Sequence, residues 1–313
     1  MILVTYYKTE IGFQFFSFPL IPIHGTTLRK PVYYQHISDS CHTQRCPFLY
    51  SHQSDLRKGK EKKLLNVDGY SIAPYYGWLL HDGIFYYVGN GLSRHYDENH
   101  NLLYYGNSGG EMSLCFANPA ASETAGLCSL YDIDAIAEYY PEAPNSAEAY
   151  MRGLYDSKIY FNIGFVERGD QWDGGFSYRF YVTYYDLTDG TYHGTPEDYG
   201  NIDFAAVSYL SDEYLVICRE GEATVYEKGT AQPVILEDPC FYPDMTLSAF
   251  DGTVFCSGKV FKLNTKAVYE SKELKADSPD MNAKNVITRY GNDFIVCDDA
   301  LNFEKIPAEQ LLK

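Results

Sequence analysis

Asp170, Trp172 and Asp173 carry the most suggestive chemistry in this chain. They lie within the Gly-rich stretch Glu167 to Phe176 and set an indole between carboxylates. Such a group suits sugar rings or cationic ligands, because an aromatic face offers apolar surface and a quadrupole together. The plainer reading, Trp172 as cover for a sheet edge, leads; ligand contact through Asp170, Trp172 and Asp173 is the functional alternative. Two carboxylates also serve glycoside hydrolysis as acid and base, at a set separation and with unlike proton affinities that a sequence does not display. His193, between Tyr192 and Gly194, is expected on a loop, with a place facing the centre of the fold as the other option, and it joins the candidate ligand contacts.

Metal and cofactor motifs are weaker. Cys41, His42 and Cys46, with His36 and His52 nearby, are zinc-type ligands, but a C-x4-C pair without a second pair fits a tetrahedral site poorly. Asp97, Asn99 and Asn101 begin like a calcium loop; Leu102 then stands where the sharp turn needs Gly and Ser108 where the bidentate Glu belongs, so a hairpin turn is expected. There is no phosphate loop, dinucleotide fingerprint or G-x-S-x-G elbow. The expectation is no metal site and no cofactor. Cys218, Cys256 and Cys297 each end an apolar run and read as core thiols. Cys115 and Cys128, in a segment rich in Gly, Ala and Ser, could close a disulfide in an oxidising compartment.

The elements that must position these residues are strands. With 31 Tyr and 18 Phe against two Trp and five Met, the aromatic content suits a pleated, half-buried surface. At 313 residues, 45% hydrophobic, the chain is long enough to bury about three quarters of its unfolded surface. A formal net charge of −17 argues against nucleic acid or an anionic membrane surface as partner. Ile11 to Ile23 is shorter than the roughly 20 residues of a spanning helix. Pro19 and Pro22 interrupt it, and it lacks the basic flank and cleavage site of a signal peptide. Ile2 to Tyr7 and Gly12 to Phe18 read instead as a hairpin. The charged stretch Ser51 to Lys63 reads as a linker, dividing the chain into an N-terminal region, 1–63, and a main domain, 64–313.

Self-similarity organises the main domain. A polar turn followed by apolar residues occurs at Asp82-Gly83, Asp156-Ser157, Ser211 to Glu213, Asp251-Gly252 and Gly291 to Asp293. The first apolar residues after these turns, Ile84, Ile159, Tyr214, Val254 and Phe294, are spaced by 75, 55, 40 and 40. Short strands repeating at about 40 residues are the grammar of a propeller blade. The expected fold is all-β, a β-propeller with five recognisable blades and six or more if the N-terminus contributes. The long intervals are assigned to insertions. One spans Phe116 to Tyr150, with a short helix over Asp132 to Tyr140 and a further turn from Ser146 to Met151. The other, Glu167 to Phe176, extends a hairpin. The last unit, Asn285 to Lys313, is expected to be completed by a strand within Leu64 to Ala73.

Leu79 to Val88, Tyr96-Asp97, Leu114-Cys115, Cys128, Leu154 to Tyr160 and Tyr184 to Gly190 together resemble the uncharacterised β-propeller lipoproteins of Gram-positive anaerobic bacteria, and more distantly the YWTD-like and TolB-like propellers. The resemblance spans roughly residues 64–313. It implies an extracytoplasmic or cell-surface binding or sensing role, with loops of one disc face taking a protein or glycan ligand. The lipid-attachment Cys and signal peptide of that family have no clear counterpart here, so a cytoplasmic scaffold stays open. So does a carbohydrate-active hydrolase or lyase with acidic residues at the channel.

Overall fold

The computed structural model describes residues 32–35, 50–55, 60–66, 70–72, 76–96, 102–118, 120–121, 123–141, 147–168, 176–243, 245–276 and 282–312. Strands β1 (Val32–Gln35), β2 (Tyr50–Asp55) and β3 (Lys60–Asn66) form an N-terminal antiparallel sheet. The stretch Ser51 to Lys63, expected as a linker, thus carries most of a strand pair.

Five further sheets follow in chain order. The first holds β4 (Tyr70–Ile72), β5 (Trp78–His81), β6 (Ile84–Tyr96), β7 (Leu102–Asn118) and β8 (Glu123–Ser129), with β4 and β5 both pairing β6. The second is a meander of β9 (Glu148–Tyr155), β10 (Lys158–Arg168), β11 (Phe176–Asp186) and β12 (Thr191–His193). The third consists of β13 (Ala206–Leu210), β14 (Tyr214–Arg219), β15 (Glu222–Glu227) and β16 (Val234–Glu237). The fourth consists of β17 (Leu247–Phe250), β18 (Thr253–Cys256), β19 (Lys259–Lys262) and β20 (Val268–Glu270). The fifth has three strands, β21 (Asn285–Tyr290), β22 (Asp293–Cys297) and β23 (Phe303–Pro307), followed by the short helix α2 (Ala308–Leu311).

Four of the five repeated turns join the first two strands of their sheet, and Asp82-Gly83 joins β5 to β6 in the first sheet, where β4 precedes them. Asp82-Gly83, Asp156-Ser157 and Asp251-Gly252 have φ of 49° and 81°, 47° and 61°, and 49° and 67°. Paired positive φ values match the twist of a two-residue hairpin, and Asp, Ser and Gly occupy that region at low cost. In the third sheet Ser211 replaces this geometry with a side-chain cap, its hydroxyl accepting from the N–H groups of Glu213 and Tyr214 at 3.3 and 3.1 Å. Adjacent sheets meet through β5, β9, β13, β17 and β21: each contacts the next in the series.

The insertions need correction. Cys115 lies inside β7, and much of the stretch from Phe116 onward completes the first sheet as the end of β7 and as β8. The extra length also includes the long β6–β7 hairpin, whose strands pair as far as Tyr96 with Leu102. The helix is present as α1 (Ile133–Tyr139): Asp132 caps it by accepting from the N–H groups of Asp134 and Ala135, and Ile136 is fully buried. The turn expected from Ser146 to Met151 is instead the start of β9, since Ala149 and Met151 alternate into the core. The second insertion does extend a hairpin, with β10 and β11 paired from Lys158–Asp186 to Arg168–Phe176. Leu64 to Ala73 does not complete the fifth sheet; its described residues belong to β3 and β4, the latter pairing β6.

The core is a series of interleaved layers between sheets. Leu114, Phe161, Ile163 and Ile136 fill the space around the first two sheets and α1. Val216, Phe241, Val254 and Phe261 fill the third junction, between sheets three and four. Phe255, Val286, Phe294 and Leu311 fill the last. Cys218, Cys256 and Cys297 are all buried here as free thiols, as their apolar runs imply.

Candidate functional site

The connection from the second sheet to the third folds back over β11 and leaves a cleft. Beyond β12 the chain turns at Gly194, φ +88°, where a Cβ would stand 2.9 Å from the Val182 carbonyl oxygen; glycine alone lets the backbone pass this close. Pro196 stiffens the next step. Asp198 then caps the single 3-10 turn Tyr199–Asn201, accepting from the Gly200 N–H at 2.8 Å and from the Asn201 amide. Tyr199 anchors the turn: its ring is buried, and its hydroxyl accepts from the Asp132 N–H at 3.2 Å. The helix insertion therefore props this connection from behind. Ala205 returns the chain to β13 by donating its N–H to the Phe180 carbonyl at 2.9 Å.

The cleft encloses about 290 Å³. Val182, Pro196, Ile202 and Ile217 supply apolar wall, and Asn201, Asp203 and Arg219 supply polar groups. Arg219 ends β14 and donates to Asp203 through Nε at 3.0 Å and a terminal nitrogen at 2.6 Å, with Glu222 3.7 Å away. The hydrogen bond to Asp203 raises the guanidinium above its usual range, so its charge is permanent and already matched. Tyr181 also lines the cleft; its hydroxyl is buried, and burial holds its proton well above the ordinary phenol range. Asp203 is the one carboxylate among the described lining residues. An apolar wall beside an amide and a neutralised ion pair can bind hydroxyl- and amide-bearing groups without requiring ligand charge.

His193 lies at the end of β12, an edge strand paired with β11, rather than on the expected loop. The three residues Thr191 to His193 continue the ladder past the Thr188 to Gly190 turn because Asp186 and Asp189 each tie down the Thr two residues on. The His193 ring stacks on Tyr184, centroids 5.0 Å apart, with Asp189 at 3.8 Å. It sits one residue before the cleft-lining Gly194. Asp170, Trp172 and Asp173 lie outside the described residues, as do Cys41, His42, Cys46 and His36 of the zinc-type cluster and the Asp97 to Asn101 stretch. Cys115 and Cys128 are two free thiols. A register shift pairs Cys115 with Gly126 and sets Cys128 opposite Leu114, so the two sulfurs are not on directly facing positions. Burial pushes them up to about 12 and about 11, which makes both poor nucleophiles.

Asn201, Asp203 and Arg219 were not singled out by residue type or spacing. A signal was present for the connection, where Gly194 and Pro196 break the strand and Asp198 precedes a turn, but nothing local links Asp203 to Arg219 sixteen residues later. Among the described residues, no helix is long and apolar enough to cross a membrane, and no three His, Cys, Asp or Glu side chains are grouped to hold a metal ion.

No protein-family model matches the chain, and no curated protein is similar to it in sequence. Solved structures similar to it include TolB from Acinetobacter baumannii, at 13% identity and a TM-score of 0.33, covering 89% of this chain and 63% of TolB. This chain therefore spans less than two thirds of that protein. An oligogalacturonate lyase in complex with manganese is similar at 9% identity and a TM-score of 0.39, covering 84% of this chain and 74% of the lyase. YjhT is similar at 11% identity and a TM-score of 0.33, covering 83% and 86%. None of these likenesses assigns a function to this chain.

Proposed function

We propose that this protein is a non-catalytic β-propeller binding module whose sheets are the blades, and that the cleft between the second and third sheets takes a neutral, hydroxyl-rich ligand of the glycan class. Successive antiparallel sheets that adjoin through β5, β9, β13, β17 and β21 support the propeller reading. The observation that carries the ligand class is the pairing of Arg219 with Asp203 at the partly exposed rim of a cleft whose other lining is mostly apolar. With the cation spent on its neighbour, an anionic ligand gains little, whereas sugar hydroxyls find Asn201, Asp203 and Arg219 as donors and acceptors and Pro196 as a ring-sized apolar face. A retaining or inverting hydrolase needs two carboxylates about the scissile bond; Asp203 stands without a second on the described lining, which favours binding over hydrolysis. Asp170, Trp172, Asp173 and His193 stay in the proposal as further ligand contacts, and an extracytoplasmic place is proposed on the family resemblance.

The test is a thermal-shift screen of the full chain against neutral oligosaccharides. A binder at 100 times its Kd stabilises the native state by about 2.7 kcal/mol, a readily measured rise in Tm. The rise should vanish in Asn201→Trp, which fills the cleft. An equal rise in both proteins would put the ligand elsewhere, and preference for acidic over neutral sugars would overturn the charge argument.

A further inference from the structure

Sulfur atoms gather at the junction of the third and fourth sheets, away from the cleft. Cys256, at the end of β18, is 3% exposed. Cys240 and Met245 lie on the connection from β16 to β17, Met245 buried and Cys240 partly open to solvent. Cys256 Sγ is 3.3 Å from Cys240 Sγ and 3.7 Å from Met245 Sδ. The loop carrying Cys240 is held in place: Asp238 accepts from the Cys240 N–H at 2.9 Å, and Lys259 Nζ reaches both Asp238 oxygens at 2.7 and 2.8 Å.

We propose that Cys240, Cys256 and Met245 form a binding site for one soft monovalent cation of the cuprous class, held by two thiolates and a thioether. Soft sulfur ligands select such an ion over magnesium, calcium or manganese. A trigonal site with metal–sulfur bonds of about 2.3 Å spaces its sulfurs about 4 Å apart, close to the 3.3 and 3.7 Å that separate Cys256 Sγ from the other two sulfurs. Zinc is disfavoured because its structural sites want four nitrogen, sulfur or carboxylate ligands, and no third His, Cys, Asp or Glu joins the pair among the described residues. Binding exchanges two thiol protons for one cation, with no change of oxidation state: M⁺ plus two RSH gives M(SR)₂⁻ and two H⁺. The remaining negative charge adjoins the Lys259 ammonium, which Asp238 already shares. Partly exposed Cys240 is the point of entry.

The experiment is anaerobic titration of the reduced full chain with cuprous ion against a chromogenic cuprous chelator. One equivalent should be retained by the native protein. Affinity should fall about 100-fold or more in Cys240→Ser and about 10-fold in Met245→Leu, since a lost thiolate ligand weighs more than a lost thioether. Cys297→Ser, which removes a buried thiol from the fifth sheet, should leave it unchanged. Far-UV circular dichroism of Cys240→Ser verifies that the fold persists. Failure to retain one equivalent, retention undiminished in Cys240→Ser, or an equal loss in Cys297→Ser would each overturn the assignment.

Discussion

Between the third and fourth sheets the seal is apolar: Val216, Val225, Phe241, Val254 and Phe261 are almost free of solvent, and Phe241 meets Phe261 at 4.8 Å between ring centroids. Between the second and third sheets the buried cluster shrinks to Tyr155, Val207 and Leu215, and an amide takes over part of the work. Asn162, 1% exposed, donates to the Val207 carbonyl at 3.2 Å and accepts from the Val207 N–H at 2.8 Å. One side chain thus satisfies both backbone groups of Val207 at that point. Apolar contact is non-directional and needs area, whereas a two-point hydrogen bond fixes a position with very little. The cleft lies at the junction where area has been given up, and this is where two sheets can be held in register while space is left for a ligand.

Perturbing the apolar junction should produce the largest effect. Phe241→Ala is expected to destabilise by about 3–5 kcal/mol, from lost transfer energy plus a cavity, read as a fall in the urea midpoint at constant slope. A cost under about 1 kcal/mol would mean that the junction collapses onto the gap. Next comes the polar clamp: Asn162→Ala strands both backbone groups of Val207 and should cost about 2–4 kcal/mol, since each buried orphan costs about 1–3. If Asn162→Ala proves neutral, the contrast between the two junctions fails.

Tyr214 sharpens the comparison from the other side, because it bridges the third and fourth sheets by donating to Glu227 and accepting from the Gly252 N–H, both at 2.8 Å. Tyr214→Phe should cost about 1 kcal/mol, the net worth of an ordinary hydrogen bond, and less than Asn162→Ala. Burial first, and the Glu227 carboxylate after it, push the Tyr214 phenol up to about 12. Its folded value lies above the ordinary value near 10, so its contribution is complete below pH 10 and lost as pH rises through about 12. Urea midpoints between pH 9 and 12 should therefore fall less steeply in Tyr214→Phe. The smallest effect on stability is expected at the cleft itself. Arg219→Ala should change stability by less than about 1 kcal/mol, as for other partly exposed ion pairs, while weakening any oligosaccharide found in the thermal-shift screen.

Asp-Gly and Asp-Ser turns were legible because their φ values are a property of a few adjacent residues, and the spacing of 40 between the later ones follows from strand length. The capped helix at Asp132 was legible for the same reason, from Ile133, Ile136, Ala137 and Tyr140 on one face. The first sheet was misjudged at Phe116 because Gly, Ala and Ser in β8 carry little strand preference of their own; pairing with β7 imposes it. His193 was misassigned likewise, its strand existing only because β11 offers an edge.

Local chemistry, then, was enough for the class of structure: strands from aromatic content, hairpins from Asp and Gly, buried thiols from apolar runs. The tertiary structure decided which junction became a cleft, that Arg219 would meet Asp203, that Asn162 would clasp Val207, and that Cys240 would come to rest beside Cys256. Each of these joins residues from separate strands or connections. Such contacts follow from how sheets stack and where chains return, and a linear pattern encodes them only through the packing of the whole.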